Sequence, residues 1–265
     1  MAADDLDRQL ESAPLTEVIG VVSASGVSGA SGWPDRDRWT LLLSFSGWKE
    51  PGGPLQKSEL TVRKEVSEGE VARFQDAVGP FDVLRIEVRL ARENVRGSPQ
   101  ALLIKSLGKD ATDPELLAYA IQLQEPVTFK DSQFGLFTLD RRIDWYAAVT
   151  DWGGTRVRLT IPAAEAADAL TVARGLWAAQ AEWQRRITDY AIKYLLDLKN
   201  DAWLQEGEAE VDAKEFAKRM ALETISIEAD GSFEFWYGDG ELFWGHSIKV
   251  GGNLAAGPND AGIHG

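Results

Sequence analysis

The sequence predicts an α+β protein with two mostly antiparallel sheets, each with helices packed on one face. Strand-like runs stand beside grouped helical segments, in the orders βββαββα and βββααβββ, whereas a doubly wound fold would alternate them strictly. Phe81 to Leu90 alternates apolar with charged residues, the period of a half-exposed strand. A length of 265 residues with 44% hydrophobic side chains suffices for two cores. The junction falls near Val127, predicting an N-terminal domain over 1–127 and a C-terminal domain over 128–265.

The first dozen residues are polar and acidic and read as a frayed arm. Val18, Ile19, Val21 and Val22 mark a strand over 16–23, and the Ser/Gly/Ala stretch 23–32 after it reads as a loop. Two further strands, 38–45 and 59–66, flank Glu50-Pro51-Gly52-Gly53-Pro54, which supplies the turn. Ser67 and Glu70 have capping-box spacing before Val71, Phe74, Ala77 and Val78 at helical intervals. Strands 81–90 and 101–106 form a hairpin, and Asp113-Pro114 opens a helix that stops before Pro126.

In the second half, 134–139, 143–150 and 155–161 read as a meander. A long helical pattern then runs to about Leu198, carrying Leu176, Trp183, Ile187, Tyr190 and Tyr194 on one stripe, with a kink expected near Gly175. Asp212 and Glu215 start a short helix. Strands 224–229, 232–237 and 243–250 close the domain, the first two joined by an Asp230-Gly231 turn.

Composition excludes several functions. The chain has no cysteine, so disulfide scaffolds and thiolate metal sites are absent. No window reaches the ~18 apolar residues of a membrane span, and the acidic opening is unlike a secretory signal. A cytoplasmic protein with no membrane partner is therefore predicted. The net charge of −14 repels phosphate backbones, and no basic stripe offsets it, which argues against nucleic acid. Gly26, Gly29 and Gly32 lack the Gly-Lys-Ser/Thr ending of a phosphate cradle, and Ser46-x-x-Lys49 lacks its companion motifs. His246 and His264, the only histidines, have no zinc-ligand spacing, and Asp230, Asp239 and Glu241 lack the calcium-loop pattern. No metal or cofactor is predicted.

The densest grouping of unusual residues runs from Phe233 to Val250. Gly238-Asp239-Gly240 reverses the chain, and in the returning strand His246 shares a face with Leu242, Trp244, Ile248 and Val250. The expected role is a core histidine held by a backbone carbonyl or by Asp239. The alternative is a hydrolase in which His246 is a general base oriented by Asp239 or Glu241. His264 is expected in a solvated tail.

The segment Asp239-Gly240-Glu241-Leu242-Phe243-Trp244-Gly245-His246-Ser247-Ile248 stands in order behind several other blocks. These are Phe134-Gly135-x-Phe137-x-Leu139-Asp140, Trp145, the Trp183 helix, Asn200-Asp201-x-Trp203 and Glu215-Phe216. Together they resemble the bacterial family known as domain of unknown function 2262, over about residues 130–265. The resemblance implies a cytoplasmic bacterial α+β protein without an established reaction. By analogy with families suspected of neutralising toxins, it also suggests an immunity-like role.

Between positions 200 and 241 there are 12 acidic and 3 basic side chains. Such a surface steers a basic protein partner, and exposed rings would anchor it. The leading expectation is a non-catalytic, toxin-neutralising or regulatory interaction module that binds through Trp203, Glu206, Glu208, Glu210 and Trp236.

Overall fold

A computed structural model describes residues 2–31, 38–93 and 97–265. The chain forms two compact units, Met1–Glu125 and Pro126–Gly265. In the first, α1 (Ala2–Ser12) precedes β1 (Leu15–Ser31), β2 (Trp39–Lys49) and β3 (Leu60–Val66). Then follow α2 (Glu68–Ala77), β4 (Val83–Ala91), β5 (Gln100–Lys109) and α3 (Pro114–Gln124). The five strands close into a barrel in the order β1-β2-β3-β5-β4. With a helix between the third and fourth strands, this is the arrangement of an OB-fold.

Closure comes from β1, which is long enough to pair with both β2 and β4. Its register with β2 shifts between Val21 and Val27, where Gly26 adopts φ +68°. This bulge bends the strand around the barrel. Residues 23–31, expected as a loop, are thus the bent half of β1, and Gly32 lies outside the described residues. The expected arm over the first dozen residues is instead helix from Ala2 to Ser12: Leu6 and Leu10 are buried in a small cluster with Ala13 and Ala91.

The helix signals act as the sequence indicates. Glu70 accepts from the Ser67 N–H at 3.0 Å, and Asp113 accepts from the Leu116 N–H at 3.0 Å. Lys49, from the chance Ser-x-x-Lys match, is buried against Asp113 and Glu115, both at 2.8 Å, and ties α3 to β2.

The second unit contains β6 (Thr128–Asp131), β7 (Gly135–Asp140), β8 (Trp145–Trp152) and β9 (Thr155–Pro162). After α4 (Ala166–Ala178), α5 (Gln180–Ala202) and α6 (Ala213–Arg219) come β10 (Ala221–Ile227), β11 (Ser232–Gly238), β12 (Ser247–Asn253) and β13 (Gly257–His264). They form one eight-stranded sheet in the order β13-β12-β11-β10-β9-β8-β7-β6. Its pairs are antiparallel except β9 and β10, whose crossover is the three-helix segment.

The long helical pattern breaks at Ala179 (φ −131°, ψ 37°), four residues beyond Gly175. Gly175 instead admits the Leu254 side chain: a Cβ there would stand 2.9 Å from Leu254 Cδ2.

Alternation along the central strands sorts the sheet into two faces. Ile225, Ile227, Phe233, Phe235, Tyr237, Ile248 and Val250 join the core with Leu176, Trp183, Ile187 and Leu195 of the helices. Arg158, Thr160, Thr224, Ser226, Glu234, Trp236 and Lys249 alternate with them on the opposite face. The last sheet strands differ from expectation at both ends. Residues 239–246 form a loop, so β12 starts at Ser247, and His264 belongs to an added edge strand, where it is exposed.

Candidate functional site

The loop 239–246 is organised around one carboxylate. Asp239 is buried, and its oxygens accept the N–H groups of Glu241 (3.1 Å), Phe243 (2.6 Å) and Gly245 (3.1 Å). Wrapping the chain around this acceptor drives Leu242 and Phe243 into the core and turns Trp244 outward, 51% exposed. Glu241 and Trp244 adopt φ +67° and +58°. A bulky side chain in this region costs roughly 1–3 kcal/mol and persists where surrounding contacts over-determine it. The charge-assisted bonds to Asp239 supply that determination.

Two neighbouring segments close on the loop. The ring of Trp203, at the end of α5, lies 5.6 Å from Phe243, 4.8 Å from Trp244 and 5.3 Å from His246 between centroids. Its carbonyl accepts from the fully buried Lys199 ammonium at 2.8 Å, and Lys199 also pairs with Glu208 at 2.8 Å. Glu208 further accepts from the Gln205 N–H at 2.9 Å and lies 3.7 Å from Arg219, whose Nε donates to the Gly240 carbonyl at 2.9 Å. The Gln205 amide and the Lys199 ammonium hold the Glu208 carboxyl below the ordinary glutamate range. Lys199, Glu208, Arg219 and Gly240 thus link the end of α5, the acidic segment, α6 and the loop into one cluster.

His246 sits half-buried at the edge of this cluster. Its Nδ1 lies 2.7 Å from the Phe243 carbonyl, which fixes Nδ1 as the protonated nitrogen by hydrogen-bond logic. Both Asp239 oxygens are occupied by main-chain donors. Among the described residues, neither Asp239 nor Glu241 hydrogen-bonds His246. No cluster of three or more His, Asp or Glu is spaced for a metal ion among the described residues.

The family described as "Uncharacterized protein conserved in bacteria (DUF2262)" matches residues 131–263, which contain this entire cluster. The chain belongs to this family. A second family, described as "Domain of unknown function (DUF7021)", matches residues 3–123, the barrel unit. No curated protein matches in sequence. Among solved structures, the wild-type single-stranded DNA binding protein from Thermus aquaticus is similar at 9% identity and a TM-score of 0.24, covering 56% of this chain and 72% of that one. A deletion mutant of that protein gives 10% identity and 0.22, with coverages of 56% and 74%. At such scores the likeness carries no argument.

Within the DUF2262 region the structure brings Trp203, Glu208, Asp239, Glu241 and His246 together. Glu206 and Glu210 flank Glu208 and are exposed. Trp236 lies elsewhere, on the helix-free face of the sheet, where its Nε1 donates to Glu234 at 3.1 Å and its ring stands 5.3 Å from that of His264. Sequence reasoning missed three members of the cluster: Trp244 as the exposed ring, Lys199 as the buried charge, and Arg219 as the link. Gly240 and Gly245 were the available signal for Trp244, since paired glycines around a tryptophan suit an irregular loop better than a strand.

Proposed function

We propose that the DUF2262 region is a non-catalytic interaction module that receives a basic segment of a partner protein at the 239–246 loop. The observation supporting this is Trp244, presented half-exposed on a backbone that the buried Asp239 holds in place. An indole so placed accepts a lysine or arginine on its face, and Glu241, Glu206 and Glu210 supply attraction at longer range. Among the described residues no carboxylate hydrogen-bonds His246, so the hydrolase reading lacks the orienting partner it needs. A toxin-neutralising or regulatory role in the bacterial cytoplasm fits a module of this kind, and the lack of cysteine removes any dependence on an oxidising compartment.

The test is affinity capture from the native host with the full chain, Trp244→Ala, and a Glu206→Gln/Glu210→Gln pair that leaves Glu208 in place. A basic protein retained by the wild type should be lost with Trp244→Ala, weakened by the glutamine pair, and released by salt. Retention unchanged by all three perturbations overturns the reading.

A further inference from the structure

The face of the eight-stranded sheet that carries no helix presents both apolar and charged groups to solvent. Leu136, Ile143 and Val149 are 59%, 58% and 58% exposed. A concavity of about 650 Å³ on this face is lined by Trp145, Arg158, Thr160, Ser226, Glu228 and Trp236, among others. A sheet face of this composition ordinarily packs against another layer.

The charges in the concavity are unequal in their pairing. Glu234 is neutralised by Lys249 at 3.2 Å, and Lys249 also meets Asp260 at 3.3 Å. Arg158 and Glu228 are both exposed, and among the described residues neither side chain makes a hydrogen bond or an ion pair, Asp140 acting on Arg158 only through its longer-range field. Partial desolvation and the neighbouring carboxylates of Asp230, Glu165 and Glu234 raise the Glu228 carboxyl above its ordinary range, so a cation placed opposite would be favoured.

Their placement is self-complementary. Arg158 pairs in register with Thr224, and Thr160 with Ser226, so Glu228 stands one strand over and about 13 Å further along. Halfway between them, Thr160 and Ser226 share a hydrogen bond of 2.9 Å. A two-fold axis lying between two such faces and crossing at this pair brings each Arg158 onto the other copy's Glu228 and each Glu228 onto the other copy's Arg158, the reciprocity of an isologous interface. It would set the two sets of strands about 40° apart, near the aligned packing of sheet sandwiches. Strands about 4.8 Å apart and about 20 Å long give an eight-stranded face of roughly 700 Å². A standard specific interface buries about 800 Å² per partner.

We propose that two copies of this chain associate through the helix-free faces of their eight-stranded sheets, with Arg158 of each copy set against Glu228 of the other. The interface is distinct from the Trp244 loop, so the two readings fail independently.

The test is sedimentation velocity on the full chain at micromolar concentration, with circular dichroism to establish that each variant is folded. The wild type should sediment as a dimer. Arg158→Glu and Glu228→Arg should each weaken association at least about tenfold, and the double reversal should restore it. Trp244→Ala should leave the dimer intact. Val149→Asp reports on the same face if a charge reversal disturbs folding. A monomeric wild type, single reversals without effect, or a double reversal that fails to rescue would overturn the proposal.

Discussion

At the scale of single residues, the cluster rests on two buried charges with different partners. Asp239 is satisfied by main-chain donors, so its removal strands three amides and releases a strained loop. Asp239→Ala should cost about 3 kcal/mol in chemical denaturation, and Asp239→Asn, which retains one acceptor oxygen, about half of that. Lys199 is satisfied by Glu208 and the Trp203 carbonyl. Glu208→Gln leaves the buried ammonium with no counter-charge and should lower stability in urea unfolding. Lys199→Met leaves Glu208 with Arg219 and the Gln205 amide, and should cost less than Glu208→Gln. Equal losses in the two variants would count against Lys199 being the residue that needs its partner. The pH dependence has a definite sign. The folded-state pKa of Glu208 is depressed, so its contribution is fully present above the unfolded glutamate value and fades as pH falls through the folded one.

At the scale of elements, the junction between α6 and the loop depends on a glycine for two reasons. Gly240 has φ +52°, and a Cβ there would stand 2.5 Å from the Arg219 carbonyl oxygen. Gly240→Ala should therefore cost more than about 2 kcal/mol. Gly245 has φ +86° with open space around it, so Gly245→Ala should cost about 1 kcal/mol. Thermal or urea unfolding of the two variants separates steric conflict from backbone preference.

In the barrel unit, Asp110 follows β5 and is held at about 2 by the Thr112 hydroxyl and N–H and by Arg85. Its stabilisation is complete above the unfolded carboxyl value near 3.8 and is lost as pH falls towards 2. Asp110→Asn should flatten that acid limb in a pH-dependent melting series.

The legible elements were those with a local cause. Ser67/Glu70 and Asp113-Pro114 fixed two helix starts, and alternation around Arg85, Glu87 and Arg89 marked β4. The missed elements had non-local causes. Residues 27–31 are strand because β2 pairs with them, despite a composition that favours a loop. The 239–246 loop mimics strand alternation, but Asp239 gathers its amides before any neighbour can. For the same reason the alternation predicts one face for Leu242, Trp244, His246 and Ile248, whereas Leu242 and Ile248 enter the core and the loop turns Trp244 outward and leaves His246 half-buried. Trp203 and His246 could be nominated from residue type alone; that they touch follows from the crossover.

At the scale of the whole molecule, each compact unit has its own core. Val18, Leu41, Phe45 and Ile86 belong to the barrel's cluster, and Phe137, Leu159, Ile187 and Phe235 to that of the second unit. Residues 126–265 produced alone should therefore unfold in one cooperative transition, by calorimetry or urea titration. A broad, non-cooperative melt would mean that this core needs the barrel. No helix among the described residues is long and apolar enough to cross a membrane.

The single parallel pairing in the eight-stranded sheet also has a kinetic meaning. Strand β9 meets β10 through Arg158, Leu159 and Thr160 opposite Thr224, Ile225 and Ser226, and these residues are separated by the whole helical crossover. During synthesis, β6 to β9 emerge with the β9 edge unpaired until residue 221 and beyond leave the ribosome. Zipping across such a sequence gap is slow relative to hairpin closure. For that interval the nascent sheet is a template awaiting its second half, and chains stalled there should be the ones that chaperones retain.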